Sequence, residues 1–246
     1  TNTTQYMVLG MLFVLFTQFT TDQSFINSQL RNSRVATAKY SKDDELRREF
    51  QAQGLSYPPQ ELYFRAFKKE GIFEVWVADW SGYYKKFRDY TVCALPGGLG
   101  PKRVRGDHQI PEGFYHIDEF NPQSNYFLSL GINYPNKSDR AFGGTGGDIY
   151  IHGACKTVGC LPLSDEKIME VYWLSVLAKG SGQSRIPVHI FPYKFDNYVF
   201  DSEERVNYGA KVARFWDNIR QGYDWFERNR TVPTVSVGSR GQYNFR

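Results

Sequence analysis

Between positions 61 and 192 the chain is cut into short apolar and aromatic runs by turns rich in glycine and proline. That punctuation limits the possible folds more than any other feature. LYFRAF (62–67) and IFEVWVADW (72–80) flank KKEG and read as a hairpin. Further strands are expected at 90–94, 113–118, 126–131, 148–152 and 188–191, with PGGLGPK, GDHQIPEG and NPQSN as the intervening turns. Aromatic residues make up 17% of the chain, which suits a β-rich core. The expectation is a mainly β fold with peripheral helices, either a β-sandwich or a partly closed barrel.

Two helices are expected around these strands. The first, 164–179, starts from Ser164 as N-cap with an acidic first turn and stops at Gly180. The second, 202–229, carries Val206, Val212, Phe215, Trp216, Ile219, Tyr223 and Phe226 at near-helical spacing, a stripe suited to packing. A last short strand falls within 231–245 and folds back on the domain. Residues 42–53 read as a short helix ending at Gly54, and the polar stretch 17–42 reads as a spacer. MVLGMLFVLF (7–16) has the length of a signal-peptide apolar region and is short for a bilayer span. It is read as an export signal or membrane tether, although the first basic residue is Arg31; a buried N-terminal segment is the alternative. The expected division is 1–42 signal or tether plus linker, 43–60 short helix and linker, 61–192 the strand-rich domain, and 193–246 a helical extension packed on it.

A net charge of +4 without any Lys/Arg block argues against a nucleic-acid partner. Cys93, Cys155 and Cys160 are odd in number and irregularly spaced, which is not the pattern of a disulfide framework. None lies near the N-terminus, where it could carry a lipid.

Two of those cysteines fall in one loop with a histidine, IYIHGACKTVGCLPLSD (149–165). His152 ends a strand, Gly153 permits a sharp turn, and Cys160 follows Gly159 just before the capped helix. Folding back of the short ACKTVG segment would bring imidazole and thiol together, and an imidazole raises the reactive thiolate fraction. The N–H groups of Gly159 and Cys160 are the expected oxyanion donors. Two other readings stand beside this one. Cys160 and His152 can be inert core residues. Alternatively His152, Cys155 and Cys160 can ligate a metal with His108, His116 or His189, although the cysteine spacing misses the usual knuckle.

The order GDHQIPEGFYH (106–116), LSLGINYP, GDIYIHG and TVGCLPLSD resembles the L,D-transpeptidase catalytic domain, the YkuD-type fold, over roughly residues 61–192. The short loop before Cys160 and the C-terminal extension resemble the YafK-like branch of that family. By this resemblance Cys160 is the nucleophile, His152 its general base, Gly159 the glycine before the nucleophile, and Thr157 stands at the family's serine position. The resemblance implies acyl transfer on peptidoglycan stem peptides in the cell envelope, with no metal or organic cofactor. Val158 replaces a typical histidine, and Pro162 an arginine two residues past the cysteine. Lys156, Arg103 and Arg140 are candidates to take over that arginine's role, and Tyr150 is a further substrate-binding candidate. Tyr83, Tyr84, Phe87 and Tyr90 are read either as a groove wall for an acceptor or as core. Hydrolysis of the same thioester is the alternative reaction, and a non-catalytic cell-wall-binding module the alternative from another class. The sequence leaves the oligomeric state open.

Overall fold

In the computed structural model, which describes residues 22–196 and 198–246, LYFRAF forms β1 (Leu62–Phe67), paired antiparallel with β2 (Ile72–Ala78). Leu62, Phe64 and Ala66 enter one core, while Tyr63 and Phe67 enter apolar clusters on the opposite face. Both faces are therefore covered, which explains a strand with no polar alternation. Arg65, on the second face, is buried and must be paired. It bonds Glu74 at 2.7 Å and Glu227 at 2.6 Å, with its guanidinium over the Trp76 and Phe226 rings.

The sheet is completed by β3 (Tyr84–Thr91), β4 (Gly113–Asn121), β5 (Ser129–Ile132), β6 (Tyr150–His152), β7 (Leu161–Pro162) and β8 (Pro187–Phe191). The strand order is β3-β2-β1-β8-β4-β5-β6-β7, with β1–β8 and β6–β7 parallel. Its two ends meet. The Cys93 N–H, just past β3, donates to the Pro162 carbonyl of β7 at 2.9 Å, so the sheet curls into a partly closed barrel. A disulfide between Cys93 and Cys155 fastens the same seam. Three cysteines thus make one bridge and one free thiol, where the spacing read as no disulfide pattern.

The mainly β reading with peripheral helices holds, but the N-terminal helices correct another expectation. Residues 23–42, taken from composition as a spacer, lie in α1 (Gln23–Leu30) and α2 (Ser33–Ala52). Val35, Ala38, Leu46 and Phe50 of α2 are buried and face α4 (Asp165–Gly180). An isolated helix of such polar composition is marginal, so its stability comes from that packed stripe. The apolar run 7–16 lies outside the described residues. Among the described residues no helix is long and apolar enough to cross a membrane.

A short helix, α3 (Lys137–Ala141), carries a full capping box built by Asn136 and Asp139. On the second face of the sheet, α5 (Tyr198–Asn229) sets Phe215, Trp216, Ile219 and Tyr223 against Phe67, Phe114 and Phe191. Gly209 interrupts this helix with a non-helical backbone, and Val206, before that break, is exposed rather than packed. The chain closes with β9 (Val235–Val237) and β10 (Tyr243–Phe245), a pair where one strand was expected. Buried Glu112 ties these layers together. It accepts from Lys68 at 3.0 Å, the Gly100 N–H at 2.7 Å and Trp216 Nε1 at 2.8 Å.

Candidate active site

His152 is the last residue of β6, paired with Ser129 of β5, and is buried. Its Nδ1 meets the Gly153 carbonyl at 2.7 Å. A carbonyl can only accept, so Nδ1 carries the proton, and in the neutral ring Nε2 is the basic nitrogen. The Tyr126 ring lies over the imidazole, with centroids 4.6 Å apart. The chain then turns at Gly153. An added Cβ there would stand 2.5 Å from Asp165 Oδ1 and 3.0 Å from the Tyr126 carbonyl, so a side chain would have to displace the Asp165 carboxylate. Asp165, the first residue of α4, accepts from the Ala154 N–H at 2.7 Å and holds the turn against the helix.

The loop returns through Thr157. Its Oγ1 accepts from the Cys160 N–H at 2.7 Å and the Gly159 N–H at 3.2 Å, and its hydroxyl donates to the Cys160 carbonyl at 3.2 Å. The two expected oxyanion donors are therefore already engaged within the loop. Gly159 has a φ of +133°, which disfavours any side chain, and a Cβ there would stand 3.2 Å from the Gln109 carbonyl. Cys160 is half-buried and free. Its sulfur accepts from the Tyr150 N–H at 3.4 Å and donates to the Asp148 carbonyl at 3.6 Å.

His152 and Cys160 line one cavity of about 280 Å³, together with Tyr126, Asp148, Tyr150, Thr157 and Val158. Burial pushes the Cys160 thiol up, and the Tyr150 N–H, the Thr157 hydroxyl and the Lys102 charge pull it part of the way back. Burial pushes the His152 imidazole down, against the opposing pull of the Gly153 carbonyl. Both shifts favour a neutral thiol beside a neutral base rather than a preformed ion pair.

The sequence-read substrate contacts are scattered. Tyr150 and Thr157 line the cavity, and Tyr150 also donates its hydroxyl to Glu119 at 2.9 Å. Lys156 is exposed on the loop. Arg140, on α3, donates to the Pro135 carbonyl, and Arg103 is paired with Asp139 at 3.2 Å; neither lines the cavity. The aromatic strip lies elsewhere too. Tyr84, Phe87 and Tyr90 are buried, and none of the four lines this cavity, so the groove-wall reading fails. The metal reading loses a ligand because Cys155 is bonded to Cys93. His189 is buried against Tyr63, with its Nδ1 2.6 Å from the phenol oxygen.

Tyr126, Asp148 and Lys102 were missed from the sequence. Asp107, of the GDHQIPEG segment, holds the last of these in place. Burial opposes charge on Asp107, but Lys102 and the N–H groups of Val104, Arg103 and Gln109 hold its carboxyl down at about 2. That anion in turn anchors the Lys102 ammonium at 2.5 Å.

The chain is similar to known proteins. The L,D-transpeptidase catalytic domain family, YkuD, matches residues 69–190. The YafK protein of Escherichia coli K12, provisionally named an L,D-transpeptidase, is 32% identical over 94% of this chain and 86% of its own length. The helical cell shape determining protein Pgp2 of Campylobacter jejuni is 25% identical, with a TM-score of 0.44 over 56% of this chain and 50% of that one. Bd1075 of Bdellovibrio bacteriovorus is 18% identical, with a TM-score of 0.41 over 70% of this chain and 61% of its own. The chain thus spans about half the length of Pgp2.

Proposed function

Because the chain belongs to the L,D-transpeptidase catalytic domain family, we propose that it catalyses cysteine-dependent acyl transfer on peptidoglycan stem peptides. The reading rests on one observation above the others: a histidine whose Nδ1 is fixed as donor shares a cavity with the free cysteine. His152 Nε2 takes the thiol proton as Cys160 Sγ attacks the carbonyl preceding a terminal D-amino acid. The C–N bond breaks, His152 returns the proton to the departing amine, and a thioester remains on Cys160. An acceptor amine then displaces the thiol to give a new amide.

The oxyanion needs donors, and the Cys160 N–H belongs to the nucleophile's own residue. It must exchange the Thr157 hydroxyl for the substrate oxygen. A neutral hydrogen bond contributes about 1 kcal/mol and one to a charged oxygen about 1.5–3 kcal/mol, so the exchange favours the oxyanion as charge develops. The envelope is the proposed location, and the Cys93–Cys155 bridge supports it because such bonds persist in oxidising compartments. A tether through the N-terminal apolar run belongs to the same proposal.

Hydrolysis is the second reading, and it has its own observation. Val158 is 70% exposed beside the cavity, and Ala154 to Lys156 are exposed, so the short loop gives water access to the thioester. A disaccharide tetrapeptide incubated with excess D-methionine or glycine separates the two. Exchanged or cross-linked products support transfer, whereas tripeptide alone at every acceptor concentration supports hydrolysis.

A further inference from the structure

A second cavity, of about 710 Å³, opens between the 99–109 segment and α5, and it shares no lining residue with the Cys160 cavity. Its walls include Leu99, Phe142, Val212 and Phe215, while Arg103, Lys211 and Arg214 supply three cations. No aspartate or glutamate lines it. The Arg103 guanidinium lies 5.2 Å from both the Phe142 and Phe215 ring centroids and donates to Asp139 at 3.2 Å, which holds it at the wall. Lys211 and Arg214 are exposed, and neither forms an ion pair among the described residues.

We propose that this cavity binds a short peptide by its free terminal carboxylate, with an apolar last residue against the Phe142 and Phe215 wall. The charge pattern calls for an anion, and guanidinium groups suit a carboxylate through paired N–H donors. A bare inorganic anion would leave the apolar wall wet, so the ligand must join charge to an apolar body. The volume falls within the range of small-ligand sites, about 300–1,000 Å³. A concave site of this kind does not meet the plane of a membrane. Gln109 lines the cavity, and its carbonyl is the group that abuts Gly159, so the site backs onto the nucleophile's loop without entering the catalytic cavity. The proposal does not depend on the reaction at Cys160.

The test is calorimetric titration of the full chain with N-acetyl-alanyl-leucine, in L and D forms at the last residue, and with the matching C-terminal amides. One acid form should bind and its amide should bind at least about tenfold more weakly. Arg214→Glu and Lys211→Glu, both on the exposed surface, should lose binding while keeping the wild-type Tm and the wild-type rate of Cys160 alkylation. Protein already carboxamidomethylated on Cys160 should bind as before. The proposal is overturned by equal binding of acid and amide, by no binding of either acid at millimolar concentration, by loss of binding on Cys160 alkylation, by binding that survives both charge reversals, or by displacement with equimolar inorganic phosphate, which would mark a general anion trap. Capture instead by vesicles of anionic phospholipid, abolished by the same substitutions, would also overturn it in favour of a lipid surface.

Discussion

The Nδ1 of His152 and the carbonyl of Gly153 lie 2.7 Å apart, and that single contact decides which nitrogen can act as the base. It leaves Nε2 as the lone-pair nitrogen, on a ring that also shares its cavity with Cys160.

The first prediction concerns pH. Burial raises the Cys160 thiol and lowers the His152 imidazole, so the resting pair is neutral. Alkylation by iodoacetamide should follow one rising limb, with a midpoint above the usual thiol value of about 8.5, and show no fast plateau on the acid side. In kcat/KM, the acid limb should fall below the ordinary histidine value of about 6.5, because the depressed imidazole stays basic further into acid. His152→Ala should leave the alkylation limb alkaline while turnover drops about 10²–10⁴-fold. A plateau of rapid alkylation between pH 4 and 7 would instead reveal a thiolate–imidazolium pair.

The second concerns Thr157, whose hydroxyl satisfies three backbone groups of the loop. Thr157→Val strands them and should cost about 1–3 kcal/mol of stability. Thr157→Ser should behave as wild type. Since the Cys160 N–H remains present in the valine variant, kcat should change by less than about tenfold. A loss of about 10²–10³ is the size expected for removal of an oxyanion donor, and would assign that role to the hydroxyl itself.

The third concerns the seam of the barrel. The Cys93–Cys155 bridge spans 62 residues, and its removal in Cys93→Ala/Cys155→Ala should cost about 2–4 kcal/mol, read as a lower Tm. Denatured, unreduced protein should titrate as a single free thiol. Three free thiols would show that the bridge does not form.

The fourth concerns Glu112, buried and bonded to Lys68, Gly100 and Trp216. Glu112→Ala leaves the Lys68 ammonium buried without its carboxylate, which should cost about 3–5 kcal/mol. Denaturant unfolding that changes by less than about 1 kcal/mol in this variant, well below the cost of stranding a buried charge, would mean that the pair contributes little.

Much of this was legible in the chain, for reasons that differ by element. β1 was read to its ends because an unbroken run of buried residues bounded by a turn has few alternatives. The start of α4 was readable because Ser164 and the acids after it form a local cap. α1 and α2 were not, because a few buried residues among many polar ones stabilise them only when α4 is already alongside. β3 was expected at 90–94 but runs over Tyr84–Thr91, where charged residues alternate with buried Tyr84, Phe87 and Tyr90. The Cys93–Cys155 bridge depends on curling of the sheet, which no spacing encodes. At the site, the histidine–cysteine loop was visible as a local motif. The engagement of both oxyanion donors by Thr157, and the ring of Tyr126 over His152, depend on how that loop closes.

The most direct measurement of the central claim is the intact mass of the protein, acid-quenched seconds after mixing with a disaccharide tetrapeptide. The account predicts an adduct equal to the tetrapeptide substrate minus its terminal D-amino acid, carried on the peptide containing Cys160 and absent from Cys160→Ala. It also predicts that Cys160→Ala neither releases the D-amino acid nor forms product. Release at the wild-type rate by Cys160→Ala, or a wild-type adduct mapped to any other residue, would contradict it.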